Sequence, residues 1–277
     1  MSIDPYGSYA PNTLMTATLS FTRALPNSWL GKRLSFILRR FALTTLKGKP
    51  VDTTALSCKM RLFPYNNVCE KRILFTPQYF DAVELAVLKS RIKPNFTFID
   101  IGANIGGYTL FVAANAGAGA HILAIEPQPD IFARLTYNIS LNPFGTVKAM
   151  ACAVADKDGE LTLFVDPNNS GESSVKIVSG DRGVGNIKVP AKRLLSILQE
   201  ESFQYLDAAK LDVEGAEDLI LDTFFKEAPE SLWPKLLIIE RGNARWSIDI
   251  PDLLLKQGYT IIATTKNNQI YERGTHV

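Results

Sequence analysis

Residues 98–109, FIDIGANIGGYT, constrain the fold of this chain more than any other segment. An apolar, β-branched run includes the carboxylate of Asp100, and a glycine-rich turn then leads into the apolar residues 110–114. This order is typical of the strand–loop–helix unit of a nucleotide-binding α/β sheet. Glycine lets the loop backbone adopt positive φ and approach a ligand, and the following helix start offers unpaired N–H groups. The segment therefore predicts an α/β fold with a ligand at the carboxyl end of this strand.

The charge of the loop indicates which ligand it binds. The loop has the pattern D-x-G-x-N-x-G, whereas dinucleotide-binding loops have G-x-G-x-x-G and present bare glycine backbone to a pyrophosphate dianion. Here Asp100 occupies the place of that phosphate, so an anion is disfavoured and a cationic group is favoured. S-adenosylmethionine has an ammonium, a sulfonium and no phosphate, and it matches this charge. The loop thus favours a methyltransferase over a dehydrogenase.

Composition agrees with an ordinary globular enzyme. The chain has 277 residues, of which 46% are apolar and 21% charged, so it can bury a sizeable core. The net charge of +2 gives no reason to expect a nucleic-acid partner. Cys58, Cys69 and Cys152 have no paired spacing, which indicates a reducing compartment. With neither a secretion signal nor an apolar run of membrane length, the sequence predicts a cytoplasmic location.

Basic charge is concentrated in residues 1–50, which contain seven basic residues and one acidic residue. Four apolar residues recur there at helical spacing, with four basic residues largely on other faces: Leu30, Leu34, Ile37 and Phe41, and Lys32, Arg33, Arg39 and Arg40. Such a helix most often packs on its own domain with a solvated basic side. The alternative is that residues 28–47 contact an anionic membrane or a partner. We predict a basic helical extension over residues 1–70 and an S-adenosylmethionine-binding domain over residues 71–277.

Strand-like and helix-like segments alternate after residue 70, as in a mostly parallel sheet. Strands are predicted over residues 96–101, 121–126, 147–153, 205–211 and 235–240, and helices over residues 77–88, 105–116, 129–141, 191–200 and 217–225. Residues 259–264 and 269–272 flank a Lys-Asn-Asn turn and predict a C-terminal antiparallel hairpin. The polar residues 168–185 are interpreted as an insertion or loop. Together these elements predict a Rossmann-like class I methyltransferase fold with a mostly parallel seven-stranded sheet.

Further carboxylates lie at the ends of other predicted strands. Glu126 follows the glycine loop by about twenty residues, where an acid can bind two ribose hydroxyls, although a carboxylate before Pro127 can also simply start a helix. Asp212 and Glu214 follow another strand, and alternation places them side by side at the same sheet edge. Glu240 ends the next strand. Converging carboxylates are unfavourable unless they meet a cation, a metal or shared protons, so they indicate a functional cleft.

Methyl transfer to an alcohol requires removal of the hydroxyl proton, by a base or with the help of a metal. Of the two histidines, His121 opens a strand far from the ligand edge and His276 lies beside the C-terminus, so neither is favoured. The base is predicted to be Asp212 or Glu214, with Glu240 as the weaker candidate. A divalent metal held by these acids is the alternative, but no metal ligand is assigned, because they lack a diagnostic ligand spacing.

Four motifs occur in a specific order: DIGANIGGYT, AIEPQP, L-x-x-NISLN at residues 135–142, and DAAKLDVEGAE. Over roughly residues 95–265 the chain resembles the FkbM family of S-adenosylmethionine-dependent methyltransferases. The resemblance implies that the DIGANIGGYT loop holds the methionine part, that Glu126 holds the ribose, and that the turn at Cys152 and Ala153 lies against the adenine. The predicted cofactor-binding residues are Asp100, Gly102, Asn104, Gly106, Tyr108, Glu126, Ala153 and Asp212.

The resemblance also implies an acceptor class, because family members commonly methylate hydroxyls of sugars or polyketide-like natural products. Two departures from the family pattern reduce its precision: Arg241 and Gly242 follow Glu240 where a histidine is frequent, and the helix from Leu194 lacks an acid after its first leucine. The leading prediction is an O-methyltransferase acting on a glycan or secondary metabolite. The alternatives are an N-methyltransferase for an amine or a protein, and a non-catalytic module that docks through its basic arm.

Overall fold

The computed structural model describes residues 4–165, 173–174, 186–242 and 245–274. The N-terminal part consists of α1 (Thr13–Ala24), α2 (Trp29–Leu46), β1 (Val51–Ala55), β2 (Cys58–Leu62), α3 (Val68–Phe75) and α4 (Ala82–Arg91). The antiparallel hairpin of β1 and β2 adds strands to a segment that was predicted as helical. The predicted helix over residues 77–88 is interrupted, because Asp81 adopts the left-handed conformation with φ 40° and separates a 3-10 turn, Pro77–Tyr79, from α4.

Strands and helices alternate from residue 97 onward. They are β3 (Thr97–Ile101), α5 (Gly107–Ala116), β4 (His121–Ile125), α6 (Pro129–Ser140), β5 (Val147–Met150), β6 (Ala153–Ala155), β7 (Gly159–Val165), β8 (Ser173–Ser174), β9 (Asn186–Arg193), α7 (Leu194–Glu200), β10 (Ala208–Leu211), α8 (Glu217–Glu227), β11 (Leu236–Glu240), α9 (Ile250–Lys256), β12 (Tyr259–Thr264) and β13 (Asn268–Arg273). A 3-10 turn, Glu230–Leu232, precedes β11.

The central sheet has seven strands in the order β12-β13-β11-β10-β3-β4-β5. Neighbouring strands from β11 to β5 are parallel, and β13 pairs antiparallel with both β11 and β12. Every residue of β3 is buried, as expected for a parallel strand covered by helices on both faces. The predicted Rossmann-like class I methyltransferase fold, with its C-terminal antiparallel hairpin, is confirmed.

A second sheet, in the order β6-β9-β7-β8, packs beside the first. The strand predicted over residues 147–153 is therefore wrong in extent: β5 ends at Met150, and Ala153 belongs to β6 in the other sheet. Residues 191–193 were predicted as helical but belong to β9, and α7 begins at Leu194. Most of the predicted loop over residues 168–185 lies outside the described residues.

Alternate residues of β3 point to opposite faces of the central sheet, and each face carries a hydrophobic core. Phe98 packs in one core with residues from the N-terminal part, among them Met15, Ala42 and Met60. Ile99 packs in the other core, which contains residues of α7, α8 and α9. The N-terminal part thus covers one face of the central sheet, and it contains a buried ion pair, Arg61 Nε to Asp52 Oδ1, at 2.7 Å.

Two asparagine side chains hold one edge of β2. The backbone N–H of Lys59 donates to Asn142 Oδ1 at 2.9 Å, and the backbone N–H of Arg61 donates to Asn138 Oδ1 at 2.8 Å. The Asn142 amide returns a hydrogen bond to the Lys59 carbonyl at 2.9 Å. These side chains thus supply acceptors and a donor that a neighbouring strand would otherwise provide, and they tie the N-terminal hairpin to α6 and to the turn that follows it.

The helix α2 packs through its small residues. Gly31, Ser35 and Ala42 are buried, whereas the apolar residues Leu30 and Phe41 are mostly exposed. The expectation that the apolar stripe would face the domain is therefore wrong. None of the helices in the described part of the chain is long and apolar enough to cross a lipid bilayer.

Candidate functional site

One cleft opens at the carboxyl ends of β3, β4, β10 and β11. Nine residues predicted from the sequence line it: Asp100, Gly102, Asn104, Tyr108, Glu126, Ala153, Asp212, Glu214 and Glu240. Gly106 is not part of the lining. It faces α6, where a Cβ would lie 2.9 Å from Leu135 Cδ1, and its φ of +93° initiates α5. The structure thus brings the predicted residues together, with Gly106 behind them.

Asp100 is buried near the end of β3. Its Oδ2 accepts hydrogen bonds from the backbone N–H of Thr109 at 3.0 Å and from the Thr109 hydroxyl at 2.6 Å. Its Oδ1 is buried and has no hydrogen-bond partner among the residues that the structure describes. Burial raises the pKa of Asp100, although the nearby charge of Lys210 opposes this shift. A buried carboxylate oxygen of this kind calls for a donor from a ligand.

The glycine loop makes backbone contact with the segment after β10. Gly102 has φ +75°, and a Cβ on it would lie 1.9 Å from the Asp212 carbonyl oxygen, so no larger residue fits. Asn104 also has positive φ, and its Oδ1 accepts hydrogen bonds from the backbone N–H of Ile105 and from Asn67 Nδ2, both at 2.9 Å. These contacts hold the loop in one conformation at the floor of the cleft.

Both carboxylate oxygens of Glu126 are oriented by backbone donors. The N–H of Gln128 donates to Oε1 at 3.0 Å, and the N–H of Asn104 donates to Oε2 at 2.9 Å. Burial raises the pKa of Glu126 to about 7, and the charges of Asp100 and Asp212 also raise it, whereas the two backbone hydrogen bonds oppose the shift. Each oxygen retains a lone pair for a further donor, so the carboxylate can accept two hydroxyl groups side by side.

Lys210 provides a buried cation beneath these acids. Its Nζ donates to Asp212 Oδ2 at 2.8 Å and lies 5.0 Å from the centroid of the Tyr108 ring. Burial lowers the pKa of Lys210, but the charges of Asp212 and Asp100 outweigh it, and the net pKa lies above its ordinary value. Lys210 was not among the predicted site residues. A charged residue inside the apolar strand β10 is the signal that could have identified it, because a buried charge requires partners.

A second chain of polar contacts reaches the cleft from the N-terminal part. The Tyr108 hydroxyl donates to Asp81 Oδ2 at 3.1 Å, and Arg72 donates to Asp81 Oδ1 at 2.7 Å. All three residues line the cleft. Burial, together with the charge of Asp81, raises the pKa of Tyr108 well above its usual value. Asp81 and Arg72 were missed, because the left-handed turn that brings Asp81 to the cleft has no signature in the sequence.

Three acids meet at the mouth of the cleft. Asp212, Glu214 and Glu240 each offer an oxygen, and these oxygens lie within 4.8 Å of one another. Arg245 donates to Glu214 Oε2 at 2.7 Å and to Glu240 Oε2 at 3.2 Å. Burial and the charges of Asp212 and Glu214 raise the pKa of Glu240 to about 8, against the effect of Arg245. With Lys210 beside Asp212, each acid has a protein cation.

Comparison with known proteins agrees with the motifs. A family model for the methyltransferase FkbM domain matches residues 100–261, more than half of the chain, and confirms the resemblance seen in the motifs. Methyltransferase sdnD of Sordaria araneosa is 31% identical over 172 residues, which cover 52% of this chain and 63% of that protein. Hexuronic acid methyltransferase AglP of Haloferax volcanii is 28% identical over 127 residues, which cover 43% of this chain and 45% of that protein.

These matches span less than two thirds of the length of either curated relative. Among solved structures, M. jannaschii TYW2 in complex with AdoMet is 14% identical, with a TM-score of 0.43 over 82% of this chain and 88% of that chain. The fold assignment rests on the strand order described above.

Proposed function

Because the chain belongs to the FkbM methyltransferase family, we propose that it transfers a methyl group from S-adenosylmethionine to a hydroxyl of a sugar or a secondary metabolite. One observation carries the proposal. Asp100, with a buried Oδ1 that lacks a donor among the described residues, lies in the same cleft as Glu126, whose oxygens are oriented by backbone N–H groups. Two carboxylates at adjacent strand ends suit a ligand that is cationic at one part and carries a ribose at another.

The residues of the cleft fit this cofactor. Glu126 accepts the two ribose hydroxyls, and Asp100 favours the positive charge of the methionine part. Gly102 lines the cleft, where its missing side chain lets the loop pack against the Asp212 carbonyl, and Ala153 offers a small apolar surface for the adenine ring. When bound, S-adenosylmethionine supplies a methyl group on a sulfonium centre that needs no further activation by a protein acid. The role of the chain is then to position the acceptor and to take up its proton.

A carboxylate at the mouth of the cleft takes the acceptor proton. The sequence alone favours Asp212 or Glu214, but the raised pKa favours Glu240, since a general base works best with a pKa close to the working pH. The pKa of Glu240 is raised to about 8. Lys210 holds Asp212 in a fixed orientation, and Arg245 holds Glu214 and Glu240. These two cations offset two of the three negative charges of the cluster, and the proposed chemistry gives no step to a metal.

A hydroxylated acceptor suits the polar residues around the cleft. Arg72, Asp81, Asn267 and Asn268 all line it and can exchange hydrogen bonds with several hydroxyl groups. The relative AglP is named a hexuronic acid methyltransferase, which supports a sugar as the acceptor. The N-P-P-Y type of motif found in enzymes that act on exocyclic amines is absent from the sequence, which supports oxygen as the methylated atom.

Calorimetric titration with S-adenosylmethionine, with NAD in parallel, tests the cofactor. We expect the wild type to bind S-adenosylmethionine and not NAD, and Asp100→Ala to lose this binding while it remains folded by circular dichroism. A folded wild type that binds no S-adenosylmethionine would refute the proposal.

Formation of S-adenosylhomocysteine with a panel of neutral sugars, uronic acids and amines then tests the acceptor. Turnover with a hydroxylated sugar supports the proposal. Turnover with amines alone would replace it with an N-methyltransferase.

A further inference from the structure

The exposed side of α2 carries an unusual set of large apolar side chains. Five of them, Trp29, Leu30, Phe36, Ile37 and Phe41, are between 57% and 72% exposed. At 100° per residue they fall within about 140° of one another around the helix axis. Small residues occupy the opposite, buried side. A contiguous exposed apolar surface of this kind usually marks an interaction site, and we call these five residues the α2 surface.

Positive charge surrounds the α2 surface. Residues 28–47 contain five basic residues and no acid. Arg33 lies over the Trp29 ring at 5.2 Å from its centroid, and Arg39 lies over the Phe36 ring at 4.9 Å, so the cations are interleaved with the apolar groups. Burial lowers the pKa of Lys71 in α3, and the neighbouring charge of Arg39 lowers it further. Cations that face one another in this way favour an anionic partner.

We infer that α2 is an interfacial helix that docks this protein onto an anionic lipid bilayer. Apolar side chains enter the boundary between headgroups and acyl chains, tryptophan favours that boundary, and Arg and Lys reach the lipid phosphates. A single-stranded nucleic acid uses cations and can stack bases on aromatic rings, but it gives no role to the exposed aliphatic side chains of Leu30 and Ile37. A purely apolar groove on a protein partner gives no role to five cations without an acid. The bilayer satisfies both features at once.

The docking helix adjoins the cleft. The Tyr65 hydroxyl donates to the Leu43 carbonyl of α2 at 3.4 Å, and Tyr65 belongs to the stretch that leads into α3. Residues of α3 line the cleft, and one of them, Val68, is half exposed. Docking through α2 therefore brings one wall of the cleft close to the lipid headgroups, although the inference does not depend on the methyl-transfer activity.

Sedimentation of the full chain with vesicles tests this inference. We expect binding to vesicles that contain phosphatidylglycerol, little binding to pure phosphatidylcholine vesicles, and release at high salt, because the attraction is partly electrostatic. Reversal of two charges, Arg33→Glu with Arg40→Glu, should weaken binding at least about tenfold. Trp29→Ser with Phe41→Ser should weaken it similarly and remove the blue shift of tryptophan emission that accompanies insertion.

Leu255→Ser is the matched control. Leu255 is 66% exposed on α9, which packs on the opposite face of the central sheet from α2, so its replacement should leave vesicle binding unchanged. All variants are first compared with the wild type by thermal unfolding. Failure of the folded wild type to bind anionic vesicles would overturn the inference. The same holds for equal binding to neutral vesicles, for displacement by nucleic acid, or for a dimer whose formation covers the α2 surface.

Discussion

The raised pKa of Glu126 makes binding of S-adenosylmethionine pH dependent. In the free protein, burial raises the pKa of this carboxyl to about 7. The carboxylate accepts two ribose hydroxyls much more strongly than the protonated acid, which keeps one good acceptor oxygen, so the pKa is lower in the complex than in the free protein. Binding below pH 7 therefore requires the loss of a proton, and the affinity falls as the pH falls through the pKa of the free protein.

The size of the effect follows from the ionised fraction of the free protein. With a pKa of about 7, roughly 3% of the Glu126 carboxyls are ionised at pH 5.5 and about half at pH 7.0. The association constant should thus rise about 15-fold across this interval. The interval lies below the pKa of an α-amino group, about 7.7–8.0, so the ligand keeps its charge. It also lies below the pKa of Glu240, which is raised to about 8.

Calorimetric titration in buffers with different ionisation enthalpies measures both the affinity and the protons released. We expect close to one proton released per ligand at pH 5.5 and about half a proton at pH 7.0. In Glu126→Gln the affinity should be lower and nearly independent of pH. The single amide oxygen of glutamine cannot accept from both backbone N–H groups, so the variant binds more weakly. The informative quantity is therefore the slope of the affinity against pH.

Glu240→Gln is the matched control, and its affinity for S-adenosylmethionine should depend on pH as in the wild type. An affinity that stays constant between pH 5.5 and 7.0 in the wild type would refute the assignment of Glu126 to the ribose. An unchanged slope in Glu126→Gln would assign the proton to another group.

Two further substitutions test the architecture of the site and of the N-terminal part. Gly102→Ala should lower the free energy of unfolding in urea by more than about 2 kcal/mol and abolish S-adenosylmethionine binding, because the new Cβ would lie 1.9 Å from the Asp212 carbonyl oxygen. Gly145→Ala, with no atom within 4 Å of its Cβ, should change stability by less than about 0.5 kcal/mol, and equal effects would contradict the argument. Arg61→Leu leaves the buried Asp52 carboxylate without its cation and should cost about 3–5 kcal/mol in the same assay, whereas unchanged stability would show that the pair is dispensable.

The position of the candidate site was predictable because the carboxyl ends of the strands can be located from the apolar runs in the sequence. Asp100, Glu126, Asp212 and Glu240 each lie at or beside the carboxyl end of a buried apolar run, and parallel strands bring such ends to one edge. The partners of these acids were not predictable to the same degree. Arg245, which contacts Glu214 and Glu240, lies in the connection after β11. The position of a residue in such a connection has no periodic signature in the sequence.

The packing of the N-terminal part could be predicted least. Hydrophobic periodicity assumes that the apolar stripe of a helix is the buried one, but α2 packs through Gly31, Ser35 and Ala42, which allow close approach. The other edge of β2 is hydrogen-bonded by Asn138 and Asn142, which lie far away in the sequence, and local patterns do not contain such contacts. The division at residue 70, the cytoplasmic location, the lack of a nucleic-acid partner and the roles of the site residues stay predictions.

The two asparagines beside β2 have a consequence for the behaviour of this chain in concentrated solution. An exposed strand edge offers its N–H groups to any other strand, and such edges promote association between chains. Asn138 and Asn142 occupy the outward N–H groups of Arg61 and Lys59, so a foreign strand finds these two positions already taken. The strand edge is thus covered by two amide side chains, one from α6 and one from the turn that follows it. Replacement of both by leucine would remove these acceptors and leave the N–H groups of Arg61 and Lys59 unpaired at this edge.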